Sequence, residues 1–206
     1  MTRIKLCGLR RPEDISYVNG LLPEYIGFVF APKSKRYVTS MEAEKLRKQL
    51  DKRITPVGVF VDEEPEVITD LLERRIIEVA QLHGNEDEEY IKRLRTYTNS
   101  PIIKAFHIQN GEDVRFANSS FADYVLLDSG GGSGETFDWS LLQEVKRPYF
   151  LAGGLTPENV GWAIALLRPY GVDASSSLER DGYKDKEKMT AFVKAVRGKI
   201  ERNDRL

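Results

Sequence analysis

The chain has 206 residues, with 31 lysines and arginines against 32 aspartates and glutamates and a formal net charge of -1. This balance excludes a general attraction to nucleic acid or to an anionic membrane surface. Its single cysteine excludes a disulfide framework within the chain. Because no run of about 18 apolar residues occurs either, we expect a soluble, cytoplasmic protein with no membrane span.

Short strand patterns and helical patterns alternate along the chain. The predicted strands are Arg3–Cys7, Tyr25–Ala31, Pro56–Val61, Ile76–His83, Ile102–Ile108, Tyr124–Leu127, Tyr149–Gly153 and Val172–Ser175. The predicted helices begin near Pro12, Thr39, Pro65, Glu86, Gly111, Ser140, Thr156 and Lys186. Thr39 and Glu42 form a capping box, and Thr156 opens a Thr-Pro-Glu helix start.

This alternation gives about eight strand–helix pairs, the number that closes a parallel barrel. We therefore predict an α/β protein with one (β/α)8 TIM barrel domain over residues 1–206. An open doubly wound sheet is the alternative. Two observations favour a closed barrel. No dinucleotide-type glycine fingerprint follows the first strand. Chemically active residues follow many different strands, and the carboxyl ends of all strands meet at one face of a barrel.

A glycine cluster follows the sixth predicted strand, in the segment D-S-G-G-G-S-G. Glycine frees the backbone to move or to approach a ligand closely, so Gly132 and Gly134 are candidate substrate contacts. A flexible linker has the same composition. The strand–helix rhythm continues on both sides of the cluster, which favours an active-site loop.

Two side chains at strand ends could exchange protons with a substrate. Cys7 ends the first predicted strand beside Gly8, where its thiol could act as a base, although a lone cysteine is most often a small core residue. Asp128 could simply stabilise its loop, but burial beneath the glycine cluster would keep it protonated and able to donate. Cys7 and Asp128 are thus a candidate base and acid.

A stronger signal indicates an anion site. The segments L-A-G-G-L-T-P-E-N-V and D-A-S-S-S follow the seventh and eighth predicted strands, the frequent phosphate site of barrels. Backbone amides and hydroxyls there could bind phosphate. The candidate substrate-binding residues in these segments are Gly153, Gly154, Asp173, Ser175, Ser176 and Ser177.

The remaining polar candidates are less specific. Arg36 lies in the basic loop A-P-K-S-K-R-Y, where it is either solvated or, if it faces the barrel mouth, able to hold a carboxylate. His83 and His107 follow different strands, and two isolated imidazoles do not make a metal-ligand cluster. We therefore expect no metal site.

Several motifs in a fixed order then point to one family. They are K-L-C-G-L-R-R-P-E-D, G-F-V-F-A-P-K-S-K-R, G-V-F-V, Q-L-H-G, L-L-D-S followed by G-G-S-G-E-T-F-D-W, and L-A-G-G-L-T-P-E-N-V. Together they resemble the phosphoribosylanthranilate isomerase family of tryptophan biosynthesis. The resemblance extends from Lys5 to Glu179.

The resemblance implies a (β/α)8 barrel that catalyses an Amadori rearrangement without a cofactor. Cys7 matches the family's general base and Asp128 its general acid. Arg36 matches the residue that holds the anthranilate carboxylate, and the segments around Gly154 and Ser175–Ser177 match the phosphate cradle. The expected partner is a small-molecule phosphosugar substrate, bound by a monomer or a homodimer.

Two other functions fit parts of the sequence. The sugar-phosphate isomerase of histidine biosynthesis performs the same rearrangement with a pair of aspartates, and Cys7 argues against it. A noncatalytic phosphosugar-binding barrel would have no need of both Cys7 and Asp128. Two features depart from the usual family pattern, namely the short loop after Asp128 and Ser177 at a position where glycine is usual.

Overall fold

The computed structural model describes residues 1–128 and 139–198. Within them, eight parallel strands pair in chain order and the last pairs with the first, which closes a barrel. The strands are β1 (Arg3–Cys7), β2 (Tyr25–Val29), β3 (Thr55–Phe60), β4 (Val79–Leu82), β5 (Ile102–His107), β6 (Tyr124–Asp128), β7 (Tyr149–Ala152) and β8 (Gly171–Ala174). The predicted barrel is confirmed, and the open doubly wound sheet is excluded.

Helices surround the strands and pack their apolar faces on the barrel. They are α1 (Pro12–Leu21), α2 (Ser40–Arg47), α3 (Pro65–Glu73), α4 (Glu88–Arg95), α5 (Gly111–Ser119), α6 (Val160–Leu167) and α7 (Lys186–Arg197). A 3-10 helix, Trp139–Glu144, stands where the sequence predicted a short helix after the sixth strand. Among the described residues, no helix combines the length and the apolar character that crossing a bilayer requires.

The capping box predicted before α2 is confirmed. The backbone N–H of Glu42 donates to Thr39 Oγ1 at 3.2 Å, and the backbone N–H of Thr39 donates to Glu42 Oε2 at 2.8 Å. Both bonds satisfy N–H groups that the first turn of a helix leaves without partners. This local signal therefore fixed the start of the helix correctly.

The starts of α6 and β4 differ most from their predictions, while other element starts differ by about one or two residues. Helix α6 begins at Val160 and not at Thr156, because Thr156 N donates to Asn159 Oδ1 at 2.8 Å and closes a separate turn first. Strand β4 begins at Val79 and not at Ile76, because Ile76 N donates to Leu71 O at 3.0 Å and completes the end of α3. Ile76 is still fully buried, so its apolar character reflects packing and not strand pairing.

After β8 the chain forms elements that the sequence analysis did not predict. A 3-10 turn, Ser176–Leu178, leads into a small antiparallel hairpin of β9 (Glu179–Arg180) and β10 (Tyr183–Lys184). Asp181 and Gly182 connect the two strands with φ values of 53° and 79°. Positive φ at both central residues is the signature of a tight type I′ hairpin turn. The hairpin places Glu179 and Lys184 beside the barrel mouth.

Aromatic side chains fill the barrel at the amino ends of its strands. We call the group of Tyr25, Tyr124, Phe150 and Tyr170 the aromatic plug. The Tyr170 hydroxyl lies 3.3 Å from the hydroxyls of both Tyr25 and Tyr124, and each of these three tyrosine rings meets the Phe150 ring edge to face. Phe150 is fully buried. The plug therefore combines apolar packing with hydroxyls that satisfy one another.

Candidate functional site

A cavity of about 440 Å³ lies at the carboxyl ends of the strands. Its walls come from several strands and from the loops that follow them. The lining residues include Cys7, Val29, Ser34, Arg36, Val59, Gln81, His83, Asp128, Gly153, Gly154, Asp173, Ser175, Ser176 and Ser177. A smaller cavity of about 280 Å³ at the opposite end shares none of its lining residues.

The large cavity gathers most of the candidates that the sequence predicted. Cys7, Arg36, Asp128 and every candidate in the two anion segments lie in its walls. His83 also lines the cavity, but His107 does not. The two glycines of the loop after Asp128, Gly132 and Gly134, lie outside the described residues.

Cys7 stands at the bottom of the cavity, above a buried ion pair. Lys5 and Cys7 share one face of β1 because side chains alternate along a strand. Lys5 is fully buried, and its Nζ donates to Asp173 Oδ1 at 2.9 Å. Burial alone would lower the pKa of Lys5, but the attraction of Asp173 and Cys7 outweighs this effect and raises it. An ammonium group thus lies permanently beneath the thiol.

Burial dominates the acidity of Cys7 in the empty cavity. The residue is only 7% exposed, and desolvation raises the pKa of its thiol despite the opposing influence of Lys5 and Lys184. Asp173 adds to the rise. The thiol is therefore protonated at neutral pH until another positive charge reaches it.

We expect the raised pKa of Cys7 to be visible in its alkylation. The rate of reaction with iodoacetamide should increase with pH and reach its midpoint above that of a free cysteine, about 8.5. Mass spectrometry across a pH series measures this midpoint, and the single cysteine makes the added mass unambiguous. A peptide with one exposed cysteine is the control. A midpoint below that of the peptide would mean that the two lysines outweigh burial.

Asp128 ends β6 and is half-buried at the rim of the same cavity. Beside it in the wall, His83 Nδ1 lies 2.9 Å from Gln81 Nε2, an amide nitrogen that can only donate. The surrounding protein lowers the pKa of His83 by desolvation, so the ring is neutral at neutral pH. Nδ1 then accepts from the Gln81 amide, which leaves the ring proton on Nε2.

The predicted anion segments form a turn on the opposite wall. Gly153 and Gly154 have φ values of 89° and 60°, a region that side chains other than glycine disfavour. Ser175 Oγ donates to Cys7 O at 3.1 Å and so ties this wall to β1. Ser177 lies in the right-handed 3-10 turn, which serine adopts without strain. Asp173 turns its carboxylate to Lys5, where it serves the ion pair.

Arg36 reaches the cavity from the loop after β2 and meets the hairpin there. Its Nε donates to Glu179 Oε1 at 2.5 Å and its Nη2 to Glu179 Oε2 at 2.8 Å. Burial would raise the pKa of Glu179, but the hydrogen bonds from Arg36 and Lys184 outweigh it and hold that pKa below its usual value. Glu179 is therefore ionised at neutral pH. The sequence analysis did not single out this residue.

Three further polar residues at the site were missed. Lys5 is a lysine at the centre of the predicted strand R-I-K-L-C, which is a signal that could have been used. Lys184 is only 4% exposed, and its sequence context gives no hint of burial. Gln81 is 1% exposed and lines the cavity, and within the described ranges its Oε1 atom has no hydrogen-bond partner.

A closed parallel barrel that collects its polar side chains in a cavity at the carboxyl ends of the strands defines a (β/α)8-barrel enzyme. The sequence profile of N-(5'-phosphoribosyl)anthranilate (PRA) isomerase matches residues 4–195, and the chain belongs to that family. The predicted family and the predicted enzyme class, an isomerase, are thus confirmed.

Individual relatives agree over nearly the whole chain. The N-(5'-phosphoribosyl)anthranilate isomerase of Endomicrobium trichonymphae is 44% identical over 202 residues, which cover 96% of this chain and 99% of that protein. The crystal structure of phosphoribosyl anthranilate isomerase from Thermotoga maritima is 38% identical with a TM-score of 0.86, covering 96% of this chain and 100% of that one. A structure of the isomerase in complex with reduced 1-(o-carboxyphenylamino)-1-deoxyribulose 5-phosphate is 36% identical with a TM-score of 0.84, with the same coverage.

Proposed function

We propose that this chain converts N-(5-phosphoribosyl)anthranilate to 1-(2-carboxyphenylamino)-1-deoxyribulose 5-phosphate, with Asp128 as general acid and Cys7 as general base. The observation that carries the proposal is that Cys7 and Asp128 line one cavity of about 440 Å³ together with Arg36 and the glycine–serine turn. This cavity offers separate places for a proton donor, a proton acceptor and two anions.

Asp128 begins the reaction by donating a proton to the ribose ring oxygen. The bond between C1 and that oxygen breaks, and the nitrogen lone pair forms a cationic Schiff base. Its positive charge beside Cys7 lowers the pKa of the thiol, which burial otherwise raises, so the thiol gives its proton to solvent and becomes the thiolate. Cys7 then removes the proton from C2, and the electrons of that bond pass to C1 and cancel the charge on nitrogen. In the enolamine that results, C1 takes up the proton that Cys7 removed from C2, and the enol hydroxyl gives its proton to the Asp128 carboxylate, which yields the ketone and restores the acid.

The two ends of the substrate are anionic and would bind on different sides of the cavity. The backbone of Gly153 and Gly154 and the turn of Ser175–Ser177 suit the phosphate, since amides and hydroxyls concentrate there. Arg36 suits the anthranilate carboxylate because a guanidinium matches its two oxygens. The substrate would then span the cavity with C1 and C2 near Cys7 and Asp128.

The activity is tested by the fluorescence of N-(5-phosphoribosyl)anthranilate generated in solution. We expect the signal to decay faster on addition of the protein than by the spontaneous breakdown of the substrate. If the folded protein leaves the decay unchanged, the proposed reaction is wrong. A cytoplasmic location, and action as a monomer or homodimer, go with this proposal as predictions.

Replacing Arg36 with alanine is expected to raise KM more than it lowers kcat. A contact to the carboxylate is the same in the ground state and the transition state, so its loss weakens binding without slowing the chemistry. Lys35→Ala is the matched control, because Lys35 is an exposed cation of the same loop that does not line the cavity. Steady-state kinetics measure both variants. An unchanged KM in Arg36→Ala would remove Arg36 from the carboxylate site.

A further inference from the structure

Glu179 holds the guanidinium of Arg36 through two parallel hydrogen bonds. The bonds join Nε to Oε1 at 2.5 Å and Nη2 to Oε2 at 2.8 Å. Their partners are 143 residues apart in the chain, and the two side chains are 26% and 14% exposed. A two-point contact of this kind fixes the plane and direction of the guanidinium as well as its position.

Glu179 is itself anchored from the side away from Arg36. Lys184 Nζ donates to Glu179 Oε1 at 2.7 Å and to Ser175 O at 2.9 Å. Lys188 Nζ donates to the backbone oxygen of Glu179 at 2.6 Å. The carboxylate is thus held by Lys184, which is itself fastened to the turn after β8, and the backbone of Glu179 is held by α7, so Glu179 has supports that do not depend on Arg36.

The aliphatic part of Arg36 is equally constrained. A Cβ atom at Gly8 would lie 2.3 Å from Arg36 Cδ, so the arginine chain lies directly on the backbone that follows Cys7. No larger residue fits at Gly8 without displacing this chain. Arg36 is therefore held at its middle by Gly8 and at its end by Glu179.

The contact leaves most of the guanidinium for a ligand. Arginine has five N–H donors, and Glu179 takes one on Nε and one on Nη2. Among the described residues, both donors on Nη1 and the second on Nη2 have no other partner, and Arg36 lines the cavity. Arg36 and Lys184 together carry two positive charges against the single negative charge of Glu179, so the cluster still attracts an anion.

We propose that Glu179 is a positioning residue that aims the guanidinium of Arg36 at the carboxylate of the substrate, and so helps to select a carboxylated aromatic amine. The proposal rests on the carboxylate site proposed above for Arg36. Glu179 does not contact the substrate. Lys184 keeps Glu179 ionised and in place, while the hairpin supplies the rigid support.

Glu179→Gln tests this, because glutamine keeps the shape of the side chain and removes its charge. KM and kcat are measured with N-(5-phosphoribosyl)anthranilate and with N-(5-phosphoribosyl)aniline, which lacks the carboxylate. We expect KM for the carboxylated substrate to rise about 10-fold or more, since 1.4 kcal/mol of lost binding corresponds to tenfold. KM for the aniline compound should change less than about 2-fold.

Glu86→Gln is the matched control. Glu86 is also a buried carboxylate, and it pairs with Lys104 at 2.9 Å outside the lining of the cavity. Its loss should affect both substrates alike. An equal change of both KM values in Glu179→Gln, or no change in either, would mean that Glu179 only fastens the hairpin, and would overturn the proposal. Glu179→Asp, which keeps the charge but shortens the reach, provides the same comparison if the glutamine variant does not fold.

Arg36→Ala with the same two substrates separates this proposal from the one on which it rests. If Arg36→Ala raises KM more for the carboxylated substrate than for the aniline compound, and Glu179→Gln does not, only the positioning by Glu179 is wrong. If neither variant changes the two KM values differently, the carboxylate site at Arg36 is wrong, and the inference about Glu179 is wrong too. If the wild-type protein acts on neither compound, the proposed reaction itself is wrong.

Discussion

Replacing Cys7 or Asp128 with alanine is expected to lower kcat by at least about 100-fold, the smaller end of the effect of removing a general base or acid. The two residues have opposite roles in proton transfer, since Asp128 gives a proton to the ring oxygen and Cys7 takes one from C2. Fluorescence decay of N-(5-phosphoribosyl)anthranilate measures both variants. Cys7→Ser should be nearly as slow as alanine, because a hydroxyl is far less acidic than a thiol.

The loss must be separated from damage to the barrel. Thermal unfolding of each variant checks the fold, and His107→Ala is a control at a strand end beside Asp128 in the sheet register but outside the cavity lining. This control should retain wild-type activity. Near-normal turnover in a folded Cys7→Ala or Asp128→Ala protein would refute the acid–base assignment for that residue.

Asp173→Ala is expected to be the most destabilising single change in the cavity. It leaves the ammonium of Lys5, which is fully buried, without its partner at 2.9 Å. Removal of one member of a buried ion pair costs about 3–5 kcal/mol of the free energy of unfolding. Urea denaturation measures this loss, and Glu89→Ala, which breaks the exposed pair with Lys92, should cost less than about 1 kcal/mol.

A double variant identifies the cause of that loss. Lys5→Met combined with Asp173→Ala removes both charges and should recover much of the stability, because an apolar replacement of a buried pair is often close to neutral. A double variant as unstable as Asp173→Ala would point to the cavity left by the side chain. In the wild-type protein the pKa of Lys5 is raised, so the stabilisation by the pair is present below about pH 10.4 and is lost as the pH rises through the raised value.

The barrel could be predicted because its information is local and repeated. Apolar runs mark the buried strands, and helix starts such as the Thr39 capping box are decided by residues three positions apart. The errors were local too. Thr156 satisfies every sequence rule for a helix start, yet its N–H bonds to Asn159 in a turn that precedes the helix.

The candidate cavity was predictable where the chemistry follows a strand end, as it does at Cys7 and Asp128. The ion pairs that support the cavity were not predictable, because the two residues of each pair are far apart in the chain. Lys5 meets Asp173 across 168 residues, and Arg36 meets Glu179 across 143. A sequence with 32 acidic residues does not reveal which of them closes such a pair.

The hairpin after β8 shows a signal that was present and not used. Asp181-Gly182 is a strong dipeptide for a two-residue turn. The strands on either side are only two residues long, so they give no alternation of apolar and polar residues. The proposed role of the hairpin depends on its geometry, since the turn brings Glu179 and Lys184 close to Arg36.

The aromatic plug limits the routes by which substrate and product can reach the large cavity. Within the described part of the chain the plug lies between the two cavities, which share no lining residue, so it separates the amino end of the barrel from the large cavity. We therefore expect substrate to enter and product to leave by the opening at the carboxyl ends of the strands. A product molecule that is still bound there excludes the next substrate, so we expect the product to be a competitive inhibitor.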